Sequence, residues 1–121
     1  MLLVELYQKG YTNLHGVDYS EKAIELAKSV AAKHQCKIQY NVANILDDSV
    51  LSLGRYRLVL DKGTYDAICL DPEDVMKKKE TFVNHVWDLL DEHGYLFLTS
   101  CNWTEDELKE QFAKSKFEQG W

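Results

Sequence analysis

Apolar residues recur along this chain in two alternating periods, and the alternation predicts the order of its elements. Leu2, Leu3 and Leu6, set among Glu5, Gln8 and Lys9, read as the end of an amphipathic helix. Gly10 is its natural stop, because glycine tolerates the left-handed conformation that closes a helix. Residues 14–18 read as a short strand ending in an acid. Ser20 is a good N-cap and Glu21 lies in the first turn; Ala23, Ile24, Ala27, Val30 and Ala31 then predict a helix to about His34. Residues 37–42 alternate, with Ile38, Tyr40 and Val42 on one face of a second strand. Residues 44–54 read as loop, with a short helix around 49–53.

Residues 57–61 are a third strand, again ending in an acid, and residues 62–64 turn the chain. After Pro72 a long helix is expected, with Phe82, Val83, Val86, Trp87 and Leu90 on one face and His93-Gly94 as its end. Residues 95–99 form a near-continuous apolar run, as in a strand buried on both faces. Thr104 and Glu107 carry the capping-box pattern before a last helix with Leu108 and Phe112 on one face, and residues 116–118 begin a further strand. Strand and helix alternate throughout. This predicts a single α/β domain over residues 1–121, with a largely parallel sheet.

Composition narrows the classes. With 121 residues, 45% of them hydrophobic, the chain has room for one small globular domain. No apolar run approaches the ~18 residues of a membrane helix, and Glu5 interrupts the only apolar stretch at the start, so neither a span nor a signal peptide is expected. The net charge of -6 argues against nucleic acid, which needs a basic surface, and suits a solvated surface or a basic protein partner. Cys36, Cys69 and Cys101 lie far apart and form no CxxC; they are expected as reduced thiols in a cytosolic protein, two of them buried. His15, His34, His85 and His93 lack ligand spacing, so no metal site is expected. Lys77-Lys78-Lys79 reads as the exposed face of a helix or a contact for an acidic partner. Neither a phosphate loop, a G-x-G-x-x-G nor a G-x-S-x-G elbow occurs.

Ligands of open parallel sheets bind at the carboxyl ends of strands, which directs attention to four segments. Asp18, at a strand end before a helix, can accept both hydroxyl hydrogens of a ribose, or can cap the helix. Asn44 and the backbone N–H of Ile45 can meet an adenine edge, or Asn44 can be a turn residue. In residues 61–66, Asp61 can hold a cationic group, Gly63 allows close backbone approach, and Tyr65 can line a pocket; the alternative is a tight turn with a solvated acid pair. Residues 100–103 can supply an aromatic wall and an amide, or Trp103 can pack on the last helix.

Three of these segments carry a family resemblance. Gly16-Val17-Asp18-Tyr19-Ser20 before an Ala-rich helix resembles the second-strand motif of class I methyltransferases that use S-adenosylmethionine. Residues 60–67, Leu-Asp-Lys-Gly-Thr-Tyr-Asp-Ala, resemble a narrower signature of methyltransferase-like enzymes acting on protein lysine, several of them on translation elongation factor 1-alpha. Residues 98–104, Leu-Thr-Ser-Cys-Asn-Trp-Thr, narrow it towards the elongation factor 1-alpha lysine methyltransferases shared by yeast and animals. The resemblance implies a Rossmann-like sheet with helices on both faces, S-adenosylmethionine as cofactor, a protein acceptor, and a cytoplasmic or also nuclear location. Asp18 would hold the ribose with Tyr19 flanking the adenosine, and Asn44 and Ile45 would meet the adenine; the family usually has aspartate where Asn44 stands. Asp61 would serve cofactor and catalysis near the methionine part, and Thr64, Tyr65, Asn102 and Trp103 would border the acceptor lysine. No [Asp/Asn]-Pro-Pro-aromatic segment follows the third strand, which favours lysine over adenine or glutamine as acceptor.

The resemblance also places a first strand with a Gly-rich loop ahead of the opening helix, and further strands after Phe117; the chain reads as the middle of such an enzyme. A shortened enzyme, a non-catalytic splice form acting as a binding module, and a chain completed by another chain all fit this pattern. A nicotinamide oxidoreductase fits Asp18 but not residues 61–66. Without the Gly-rich loop and a central strand, this chain alone is expected to bind S-adenosylmethionine weakly or not at all. Calorimetric titration checks this, and micromolar binding would contradict it.

Overall fold

The computed structural model describes residues 2–113, so the strand expected at 116–118 lies outside the described residues. The chain divides into two compact units, Met1–Asp47 and Asp48–Trp121, each considered by itself.

The first unit is built around one parallel strand pair. Helix α1 (Leu2–Gln8) precedes strand β1 (His15–Asp18), helix α2 (Glu21–Lys33) and strand β2 (Gln39–Val42). Ser20 caps α2 as expected, its hydroxyl accepting from the Ala23 N–H at 3.2 Å. The helical period of α2 puts Ile24, Ala27 and Ala31 inwards, where they form a core with Val4, Cys36 and Tyr40. β1 and β2 pair in register from His15↔Gln39 to Asp18↔Val42. Gly16 lies opposite Tyr40; a Cβ there would stand 2.5 Å from the tyrosine ring, so a side chain cannot share the space. Of the three residues expected on one face of β2, Tyr40 is buried, Ile38 is partly buried and Val42 is exposed at the strand's end.

The second unit has a 3-10 turn (Asp48–Leu53), strand β3 (Tyr56–Lys62), helices α3 (Thr64–Leu70) and α4 (Val75–Leu89), strand β4 (Leu90–Thr99) and helix α5 (Glu105–Ala113). β3 and β4 pair in parallel from Leu58↔Tyr95 to Lys62↔Thr99, with an irregularity between Tyr56 and Leu58. The strands therefore form two separate parallel pairs among the described residues, within the expected alternation of strand and helix.

Several local expectations are corrected. Residues 64–70 form a helix, where the expected elements were only a turn over 62–64 and a helix after Pro72. α4 stops at Leu89 rather than at His93-Gly94: Leu90 leaves the helix for a strand and pairs with Tyr56, and a Cβ on Gly94 would lie 3.0 Å from the Tyr56 carbonyl. β4 is not buried on both faces. Leu96 and Leu98 are half-buried, whereas Tyr95 and Phe97 are 69% and 66% exposed beside exposed Leu58 and Leu60. Among the described residues, only the face carrying Asp61, Val59, Leu96 and Leu98 is covered. Cys36 alone of the three thiols is buried; Cys69 is half-buried and Cys101 exposed. The lysine run is not a bare solvated face either, since Lys78 pairs with Asp71 at 2.6 Å and Lys79 lies over the Trp103 ring.

The core of the second unit centres on Tyr65, which is 1% exposed. Its ring meets Phe82 and Phe112 at centroid distances of 5.1 and 5.3 Å, and its hydroxyl donates to Gln111 Oε1. Burial, then the nearby Cys69 thiol and the Asp66 carboxylate, push its pKa well above the usual phenol value. Burial also raises Tyr40 and Tyr56. A proton held more tightly in the folded state gives stability that is complete below about pH 10 and is lost as pH rises through the raised value. Urea unfolding of Tyr65→Phe should show a loss of about 1 kcal/mol at neutral pH, from the hydrogen bond to Gln111, and a shallower decline than the parent above about pH 10. Identical alkaline profiles would contradict this account of Tyr65.

Candidate functional site

In the first unit, the four residues expected to contact a nucleoside meet at adjacent strand ends. Asp18 ends β1 opposite Val42 of β2, and Asn44 lies two residues beyond that strand. The Asp18 carboxylate is half-buried; Oδ1 accepts from the Ser20 N–H at 2.9 Å, and Oδ2 has no partner among the described residues. It therefore steadies the turn that leads into α2, whose cap is Ser20, and leaves its second oxygen outside that turn. Tyr19 is 81% exposed beside it. Asn44 makes a turn: its Oδ1 accepts from Leu46 N–H at 3.0 Å and its carbonyl from Asp47 N–H at 2.9 Å. The Asn44 amide N–H groups are not used in that turn. Ile45 is half-buried within it.

In the second unit, Asp61 has a more structural position than its sequence context suggested. It is buried, and its two oxygens accept from the Thr64 and Tyr65 N–H groups, each at 3.0 Å. These are unsatisfied donors of the first turn of α3, so the carboxylate acts as the helix cap. Gly63 makes this possible: its φ of +93° turns the chain so that the helix starts back over the strand end. Thr64 is exposed at that start, whereas the Tyr65 side chain is buried in the core.

A second buried carboxylate was not singled out from sequence. Asp66 is 9% exposed on α3. It accepts from the Ser100 hydroxyl at 2.6 Å and the Cys101 N–H at 2.8 Å, both just beyond β4. Ser100 Oγ in turn accepts from the N–H groups of Asn102 and Trp103 at 3.1 and 3.0 Å. Asn102 is exposed and Trp103 half-buried. The Trp103 indole N–H is buried without an acceptor among the described residues, and Lys79 Nζ stands 5.4 Å from its ring centroid. The capping box follows, with Thr104 and Glu107 bonded reciprocally at 3.0 and 3.2 Å. The acid at position 66 is two residues beyond the expected turn, but its partners are 34 and 35 residues away, which no local pattern reveals.

A cavity of about 800 Å³ lies along β4 and α5, with walls that include Trp87, Phe97, Trp103, Leu108 and Phe112. Among the described residues its charged lining is Asp88, Asp91, Glu92 and Glu105 with Arg55. No group of His, Cys, Asp and Glu among the described residues could hold a metal ion. No helix among them is long and apolar enough to cross a membrane.

Comparison with known proteins accords with the resemblance. The chain is 37% identical over 115 residues to the EEF1A lysine methyltransferase 2 of Mus musculus, covering 94% of the chain and 47% of the relative. It is 40% identical over 113 residues to the EEF1A lysine methyltransferase 2 of Danio rerio, covering 93% and 48%. It is 43% identical over 108 residues to the protein-lysine N-methyltransferase efm4 of Schizosaccharomyces pombe, covering 86% and 45%. The chain thus spans about half the length of the curated relatives it matches. The methyltransferase-domain family matches over residues 1–120, and the chain belongs to that family.

Proposed function

We propose that the protein represented by this chain is a protein-lysine N-methyltransferase that uses S-adenosylmethionine and acts on translation elongation factor 1-alpha. The observation that carries this reading is the 37–43% identity to proteins named as EEF1A or protein-lysine methyltransferases, extending over 86–94% of the chain. The residues at the strand ends suit the cofactor. Asp18 offers a free carboxylate oxygen for ribose hydroxyls, and the Asn44 amide offers donors for an adenine ring nitrogen. Tyr19 flanks the nucleoside, and Ile45 meets the adenine beside Asn44.

When bound, S-adenosylmethionine supplies a methyl group already activated by its sulfonium, so the protein mainly orients and desolvates. The acceptor ε-amine must be neutral to attack, and surroundings that disfavour its charged form assist. Asp61, held by the Thr64 and Tyr65 N–H groups, orders the end of β3 beside the methionine part of the cofactor and the entry of the acceptor lysine. Thr64, Asn102 and Trp103 border the acceptor side chain, and Tyr65 supports them from the core. The carboxylates lining the cavity along β4 favour a basic acceptor segment. On this reading the protein works in the cytoplasm, alongside its acceptor.

The test is methyl transfer to elongation factor 1-alpha by the protein completed to the length of those relatives. Labelling of lysine is expected, and Asp18→Ala should reduce it at low cofactor concentration by about 100-fold or more, as for loss of charge-assisted hydrogen bonds. Absence of lysine labelling in the parent protein would contradict the reading and favour a non-catalytic binding role. Unchanged activity in Asp18→Ala would remove the ribose assignment.

A further inference from the structure

We propose that Asp66 and Ser100 form a positioning pair that fixes the backbone of residues 100–103 and so presents Asn102 and Trp103 to the acceptor protein. The consequence for the acceptor rests on the lysine-methyltransferase reading; the positioning itself does not.

The argument is one of hydrogen-bond capacity. A serine hydroxyl has one proton to donate and two lone pairs that accept. At Ser100 all three are used: the proton goes to Asp66 Oδ1, and the lone pairs take the N–H groups of Asn102 and Trp103. The remaining Asp66 oxygen takes the Cys101 N–H. Three successive backbone N–H groups, at 101, 102 and 103, therefore depend on two side chains from different elements. The polarity of the pair is set by the acid. Asp66 must accept from Ser100, because a group that donated to Ser100 would take a lone pair from one of the two N–H groups. An ionised aspartate accepts only, and its low exposure keeps water from replacing it.

The anchor of this pair is itself fixed. Asp66 lies on α3, whose first turn is capped by Asp61, and the neighbouring Tyr65 is locked between Phe82 and Phe112. Beyond Trp103 the chain enters the capping box of α5. The segment thus spans two rigid supports, with the Asp66–Ser100 pair deciding its course between them. Asp66 touches neither Asn102 nor Trp103 through its own carboxylate, so it acts as a positioning residue.

Asp66→Asn is nearly isosteric but brings an amide that must donate where the carboxylate accepted. Ser100→Ala removes the hydroxyl altogether, whereas Ser100→Thr keeps it. In the full chain, amide hydrogen exchange at Asn102 and Trp103 should quicken about tenfold or more in Asp66→Asn and Ser100→Ala, and stay near the parent rate in Ser100→Thr. Exchange at Phe82 and Val86 of α4, in the same unit, serves as the control for folding and should not change. In the protein completed to the relatives' length, KM for the acceptor protein should rise about tenfold in the first two variants, with KM for S-adenosylmethionine unchanged and Ser100→Thr restoring the parent value. Unchanged exchange at 102 and 103 in Asp66→Asn and Ser100→Ala would overturn the positioning role. Faster exchange with an unchanged acceptor KM would overturn the role in presenting the acceptor. A parent protein that transfers no methyl group would end the lysine-methyltransferase reading, and the exchange rates would still decide the positioning role.

Discussion

Carboxylates at strand and helix ends that accept backbone N–H groups hold this protein's working edges together. Asp18 takes the Ser20 N–H, Asp61 takes those of Thr64 and Tyr65, and Asp66 takes that of Cys101. Each N–H belongs to a turn or first helical turn where the backbone has no ladder partner, so an unanswered donor would cost about 1–3 kcal/mol. The same groups explain the division of labour between the acids. Asp61 spends both oxygens on α3 and is buried; Asp18 spends one and remains half-buried with the other open. A strand-end acid is therefore available to a ligand in proportion to how little the local backbone demands of it.

Packing sets the background for those acids within each unit. The alanine face of α2 lies over the β1–β2 pair in one, and the Tyr65, Phe82 and Phe112 cluster fills the other. The tyrosine links core and edge. Its backbone N–H ends at Asp61, its ring is among the most buried in the chain, and its hydroxyl reaches α5 at Gln111. Its place between two acids points to the site's border in the sequence, whereas its ring lies in the core.

Much of the fold was legible because its signals are local. The Ser20 cap, the Thr104–Glu107 box and the helical spacing of Ile24, Ala27 and Ala31 each specify structure within a few residues. Seven residues were too few for α3 to show its period, and its cap lies outside the helix at Asp61. The border of α4 and β4 was invisible because Leu89 and Leu90 suit either element, and pairing with Tyr56 decides between them. The exposure of Tyr95 and Phe97 depends on what covers the sheet, which an apolar run cannot express. At the site, the strand-end acids could be read directly. The bond from Asp66 to Ser100 could not, because it joins residues 34 apart.

The most direct test of this account is a crystal structure of the protein, completed to the length of its relatives, with S-adenosylhomocysteine bound. Both ribose hydroxyls should lie within hydrogen-bond distance of the Asp18 carboxylate, while Asp61 still accepts the N–H groups of Thr64 and Tyr65. A ribose held by another residue, or an Asp61 carboxylate released from α3, would contradict it.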